Sequence, residues 1–182
     1  MKAATFHETV ADAVADCTLV VGVTGVSRRE LQHPLRRLEY GARLIRKQSG
    51  PVALLFGSEK FGLSNDDLSH CHWLLHIPTR AGHESMNLGQ AVAVCLYELI
   101  RSPRAARPGP RRHIAATAGA QEQLGAALLD ALERSGYVNP RTARSTELKL
   151  RRMVGRLGLS RRDAEVWLGM TRQILWKLRR DE

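Results

Sequence analysis

Three short apolar runs, each closed by a small polar loop and separated by helical patterns, restrict this chain more than any other feature. They cover residues 17–23, 52–56 and 73–77. Strands that alternate with helices imply a parallel sheet with crossover helices, because parallel neighbours need a long return connection. Loops at the carboxyl ends of such strands are where open α/β sheets bind ligands. Two of these loops are marked by glycine and polar residues: Phe56-Gly-Ser-Glu-Lys-Phe-Gly-Leu63, and Ile77-Pro-Thr-Arg-Ala-Gly-His-Glu-Ser-Met-Asn-Leu88. Together they predict a pocket built from two loops.

The intervening periodicity predicts helices over 5–16, with Val10 and Val14 on one face, and over 34–47, with Leu35, Leu38, Ala42 and Ile45 at helical spacing. Ser64 followed by Asp66 and Asp67 predicts a short capped helix. Residues 86–100 place Leu88, Ala91, Val92, Cys95, Leu96 and Leu99 on one stripe that should pack on the sheet. Pro103, Pro108, Gly109 and Pro110 then mark a linker, and three further helices are expected over 121–134, 145–157 and 161–178. The expected division is an α/β domain over 1–101, a Pro/Arg linker over 102–117 and a helical extension over 118–182. Three strands are few for a sheet covered on both faces, so the sheet is expected to be completed by a partner or by residues upstream of Met1.

Charge separates the two parts. Residues 1–100 hold 10 Lys+Arg and 10 Asp+Glu, whereas 101–182 hold 18 and 8, so the whole excess of +10 lies in the second part. Sixteen of those 18 cations are Arg, the side chain that forks onto phosphate. A neutral ligand-binding half joined to an Arg-rich half points to small-molecule chemistry brought to a polyanion. No apolar run approaches the roughly 20 residues of a membrane helix, and the first residues lack the apolar core of a signal peptide. Cys17, Cys71 and Cys95 are scattered, without a Cys-x-x-Cys, which fits reduced thiols and a cytoplasmic location.

The loop motifs resemble the second and third signatures of the SPOUT superfamily of knotted methyltransferases, in its TrmH/TrmJ branch. The similar stretches are Phe56-Gly-Ser-Glu-Lys-Phe-Gly-Leu-Ser64, Cys71-His-Trp-Leu-Leu-His-Ile-Pro78 and Ser85-Met-Asn-Leu88. Leu19-Val-Val-Gly22 and the helical tail are similar too, so the resemblance covers nearly the whole chain. It implies an α/β fold with a parallel sheet and a deep trefoil knot, an S-adenosylmethionine cofactor, a homodimer and no membrane partner. The implied activity is 2′-O-methylation of RNA, with tRNA and a cytidine or uridine of its anticodon loop as the substrate. The family's first signature, an Asn-x-Gly stretch followed by an Arg, has no counterpart before Leu19, which is read as an N-terminally shortened form.

Carried onto this sequence, the resemblance implies that Val23, Thr24, Gly25, Gly57, Ile77, Glu84, Ser85 and Met86 hold the cofactor. Gly57 would let backbone approach a ligand without an intervening Cβ, and Ile77 and Met86 would offer apolar surface to an adenine ring. Ser85 and Asn87 are the candidates for orienting the acceptor hydroxyl. Glu59 is a third catalytic candidate, expected to tie down its own loop. A plain N-cap role for Ser85 and Asn87 fits equally well. Arg28, Arg29, Arg111, Arg112, Arg151 and Arg152 are the candidate phosphate contacts. The histidines at 70, 72, 76 and 83 lack a second ligand pair at zinc spacing, so no metal site is expected. Two other readings remain: an RNA-binding protein without catalysis, and a DNA-binding regulator whose helix-turn-helix lies in 158–175, with Arg172 and Gln173 on its recognition helix.

Overall fold

The computed structural model describes residues 4–25, 32–79, 86–101 and 114–180. Packing divides the chain into two units, Leu19–Arg112 and the pair of segments Met1–Thr18 with His113–Glu182. The boundary differs from the expected one: residues up to Thr18 group with the C-terminal helices, not with the sheet.

In the α/β unit, β1 (Leu19–Val23), β2 (Leu35–Arg37), β3 (Val52–Phe56) and β4 (Trp73–His76) form one parallel sheet in the order β2-β4-β1-β3. β1 is internal, and Val20 and Val21 are completely buried, as a strand covered on both faces must be. It runs in register with β3 from Leu19↔Val52 to Val23↔Phe56, and with β4 from Val21↔Trp73 to Val23↔Leu75. All four strands therefore end along the same edge of the sheet.

The strand β2 corrects the helix expected over 34–47. Leu35–Arg37 pairs with β4, the Leu74 amide donates to the Pro34 carbonyl at 2.9 Å, and the helix α2 begins only at Leu38. Three residues, two of them Arg, leave no alternation in the sequence. Long-range pairing decides their state. α2 (Leu38–Ile45) buries Leu38, Gly41, Ala42 and Ile45 against the sheet, and the Leu75 and Trp73 side chains come so close at Gly41 that a Cβ there would force one of them to shift. Between β3 and β4 lies α3 (Asn65–Ser69). Its N-terminus is closed by a reciprocal capping box: Ser64 Oγ accepts from the Asp67 amide and the Asp67 carboxylate from the Ser64 amide. The segment after it is stitched to β1 by His72, whose Nδ1 accepts from the Val20 amide at 3.1 Å while its own amide donates to the Val20 carbonyl at 2.9 Å. His70 and His72 both lie in the segment between α3 and β4.

α4 (Leu88–Ile100) lies beside α2. The core joins Leu19, Val21, Leu38, Ile45, Trp73, Leu75 and Cys95, with Leu99 packed against it. Leu96, expected on the buried stripe, is half exposed and lies on α4's other face with Tyr97 and Ile100.

The second unit contains α1 (Val10–Val14), α5 (Ala118–Arg134), α6 (Ala143–Arg156) and α7 (Arg161–Leu178). α1 is joined to the start of α5 by backbone bonds from the Ala118 amide to Cys17 and from the Gly119 amide to Ala15. Leu124, Val154, Ala164 and Leu175 are buried among these helices. Residues 158–175 hold part of one helix, capped by Ser160 and Asp163 and unbroken through Gly169, so they contain no helix-turn-helix. A turn inside that stretch would expose Thr171 and Leu175, which are buried.

Candidate active site

A cavity of about 440 Å³ opens where β1, β3 and β4 end. Val23, Thr24 and Gly25 reach it from the end of β1, Gly57 and Glu59 from the loop after β3, and Ile77 and Met86 from the segment after β4. Seven of the residues singled out in the sequence thus share one wall, all within the α/β unit. The β1 side is set by the Thr24 amide donating to the Leu75 carbonyl at 2.9 Å, which extends the β1–β4 ladder to the mouth of the cavity.

The loop after β3 is a tight fold held by its own backbone. The Gly62 amide donates to the Ser58 carbonyl at 2.8 Å, and the Phe61 amide donates to Ser58 Oγ at 3.2 Å. Gly62 has φ +67°, a left-handed conformation that glycine adopts without strain. The returning chain crosses directly over Gly57: a Cβ there would overlap the Gly62 carbonyl and the Leu63 amide. Glycine is therefore needed at position 57 for the loop to close at all.

Glu59 acts differently from the expectation. Its Oε1 accepts from Asn87 Nδ2 at 2.9 Å and faces the Leu88 amide at 3.4 Å, so it ties the glycine loop to the start of α4 and not to itself. Asn87 is the N-cap of α4, its Oδ1 accepting from the Gln90 amide at 3.3 Å. An amide side chain offers two N–H donors and two lone pairs; one of each is engaged here, and one of each is left for another group. Ser85 and Glu84 lie outside the described residues, as do Arg28, Arg29, Arg111 and Arg112.

Of the remaining candidates, Arg151 is committed within the helical unit. Its guanidinium grips Glu122 of α5 through two nitrogens at 2.9 Å and bonds Glu147 of α6 at 2.9 Å, with its side chain 15% exposed. A fork that already holds two carboxylates is poorly placed to take a phosphate. Arg151→Ala is therefore expected to cost about 1–3 kcal/mol of stability, as charged hydrogen bonds do. A lowered melting temperature with unchanged affinity for RNA would be the observation. Burial and then the neighbouring Arg156 lower the proton affinity of Arg152 below the ordinary guanidinium value, which marks two adjacent cations.

Sequence reasoning missed part of the wall. Phe56 at the end of β3 and Ser58, Lys60, Phe61, Gly62 and Leu63 of the loop after it line the cavity, and Thr79, Leu88 and Ala91 close the other side. The glycines at 57 and 62 were the signal that this loop doubles back and presents its whole length.

The family model described as the SpoU rRNA methylase family matches residues 1–97. The chain is 33% identical over 183 residues to the tRNA (cytidine/uridine-2′-O-)-methyltransferase TrmJ of Yersinia enterocolitica, across 94% of this chain and 69% of that protein. The TrmJ of Klebsiella pneumoniae is 32% identical over 179 residues, across 92% and 71%. Among solved structures, the crystal structure of TrmJ from Z. mobilis ZM4 is similar at a TM-score of 0.81 and 28% identity, covering 92% of this chain and 72% of that one.

Proposed function

This chain belongs to the SpoU rRNA methylase family and is an RNA 2′-O-methyltransferase, and we propose that it moves the methyl group of S-adenosylmethionine to the ribose of a cytidine or uridine in tRNA. The names of the TrmJ relatives support that substrate. The observation that carries the reading is the shared cavity of Val23, Thr24, Gly25, Gly57, Ile77 and Met86.

The lining fits the cofactor. A volume of about 440 Å³ lies within the range of small-molecule sites, and Phe56, Ile77, Met86 and Ala91 supply apolar walls for a purine. When bound, S-adenosylmethionine supplies a methyl group already activated on a sulfonium. The rest is positioning, and positioning alone can remove several kcal/mol from a barrier. Gly57 keeps the loop closed over the ligand. Glu59 fixes the start of α4, and with it Met86 and Asn87. The free lone pair of Asn87 would accept from the acceptor hydroxyl and its free N–H would donate to an oxygen of the same nucleotide, with Ser85 helping to orient the hydroxyl, whose proton passes to solvent water as the methyl is transferred. The reading also includes the trefoil knot of the family and a cytoplasmic site of action, where tRNA is found.

Its second part is a homodimer. On α4, Leu96, Tyr97 and Ile100 stand 51%, 64% and 76% exposed on one helical face, an apolar surface that a second copy of this chain would cover. Sedimentation should find dimers, and Tyr97→Arg with Ile100→Asp should yield monomers. A monomeric unaltered protein would remove this part. The Arg-rich helical unit would hold the tRNA through cations such as Arg152 and Arg156, so affinity should fall steeply as salt rises. The direct test is incubation with tritiated S-adenosylmethionine and unfractionated tRNA, then nuclease digestion. Label in 2′-O-methylcytidine or 2′-O-methyluridine supports the reading; label only in bases, or none, refutes it.

A further inference from the structure

Phe61 stands at the rim of the cavity with 80% of its surface exposed. One exposed apolar side chain is ordinary by itself. This one is held out by construction. Its amide donates to Ser58 Oγ, the next residue's amide donates to the Ser58 carbonyl, and the chain returns directly over Gly57. Glu59, two residues earlier, anchors the same loop to α4 through Asn87. These bonds fix the backbone that carries the ring. Lys60 completes the arrangement: its Nζ lies 5.1 Å from the Phe61 ring centroid, over one face. The rim of the cavity thus presents an aromatic ring and a cation side by side on a rigid loop.

We propose that Phe61 is the platform on which the base of the acceptor nucleotide stacks, with Lys60 on an adjacent phosphate. Single-stranded RNA bases are held by stacking on aromatic rings, and a cation beside the ring tracks the backbone. Stacking accepts any flat base, so this platform would receive cytidine and uridine alike without reading their edges. It also brings the base of the reacting nucleotide to the same rim at which its ribose must face the methyl donor. The inference rests on the RNA-methylating reading and adds to it the residues that receive the base.

The experiment uses the full chain, labelled unfractionated tRNA for affinity by fluorescence anisotropy, and S-adenosylhomocysteine for calorimetry. Phe61→Leu keeps an apolar side chain but loses the π face. It should weaken tRNA binding about ten-fold, within the range that single stacked bases contribute, at an unchanged dependence on salt. Phe61→Tyr should restore binding, and both variants should bind S-adenosylhomocysteine as the unaltered protein does. Lys60→Ala should instead flatten the salt dependence by about one counterion. Equal tRNA affinity in Phe61→Leu and the unaltered protein would overturn the platform while leaving the methyltransferase reading intact. Loss of S-adenosylhomocysteine binding in Phe61→Leu would also overturn it, by making Phe61 a cofactor residue. An unaltered protein that binds S-adenosylhomocysteine but neither binds nor methylates tRNA would overturn both.

Discussion

Replacing Gly57 by Ala should abolish measurable binding of S-adenosylhomocysteine and lower the melting temperature by on the order of 10 °C. The added methyl would have to occupy space already filled by the Gly62 carbonyl and the Leu63 amide. These are backbone atoms, so no side-chain rotation relieves the overlap. The loop can accept the methyl only by opening, which breaks the Gly62–Ser58 bond and moves the wall of the cavity. Overpacking of this kind typically costs 1–3 kcal/mol, and a clash with backbone belongs at or above the upper end. Gly62→Ala is the control. Position 62 has φ +67° but open space around it, so the cost is the left-handed penalty of about 1–2 kcal/mol, with the cavity preserved. If Gly57→Ala bound the cofactor analogue as well as Gly62→Ala does, the packing of this loop would not matter to the site.

Glu59→Ala should reduce methyl transfer about 100-fold while weakening cofactor binding only a few-fold. One carboxylate oxygen holds both the Asn87 side chain and the neighbourhood of the Leu88 amide, so its loss frees the start of α4 from the glycine loop. Loss of an anchor that shifts reacting groups by about 1 Å is enough for a 10²-fold change in rate. Glu59→Gln keeps an oxygen that can accept from Asn87 and should recover much of the rate. The contrast separates positioning from acid–base chemistry: a residue needed as a base would be lost equally in both variants. Rate constants measured at saturating tRNA, with S-adenosylhomocysteine affinity by calorimetry, would decide it. Equal, severe losses in Ala and Gln variants would argue against the tether.

Much of the architecture is legible in the residues themselves. β1 and β4 announce themselves because parallel strands buried on both faces read as unbroken apolar runs, and β3, a half-buried edge strand, carries the same kind of run. α7 spans the residues 161–178 expected of it. What escapes the sequence is whatever long-range pairing decides. β2 has two Arg in three residues and exists because β4 pairs with it, the Leu74 amide donating to the Pro34 carbonyl just before it. α1 joins the helical unit through bonds from Ala118 and Gly119 to residues about a hundred positions away. Glu59 is recognisable as a loop acid, but its partner, 28 residues on, is not. The Arg151–Glu147 contact has the helical i,i+4 spacing, whereas the bidentate grip on Glu122 depends on α5 and α6 packing side by side. Charge counting could not show which arginines are already occupied. Glycine loops, by contrast, disclose backbone geometry directly, and so seven of the sixteen residues of the cavity wall could be named in advance.

Isothermal titration of the unaltered protein with S-adenosylhomocysteine bears most directly on the cavity at the ends of β1, β3 and β4. One binding site per chain, present in Gly62→Ala and absent in Gly57→Ala, is the predicted result. A folded protein that releases no binding heat across a range of temperatures, or a Gly57→Ala variant that binds like the parent, would contradict the assignment of this cavity to the methyl donor.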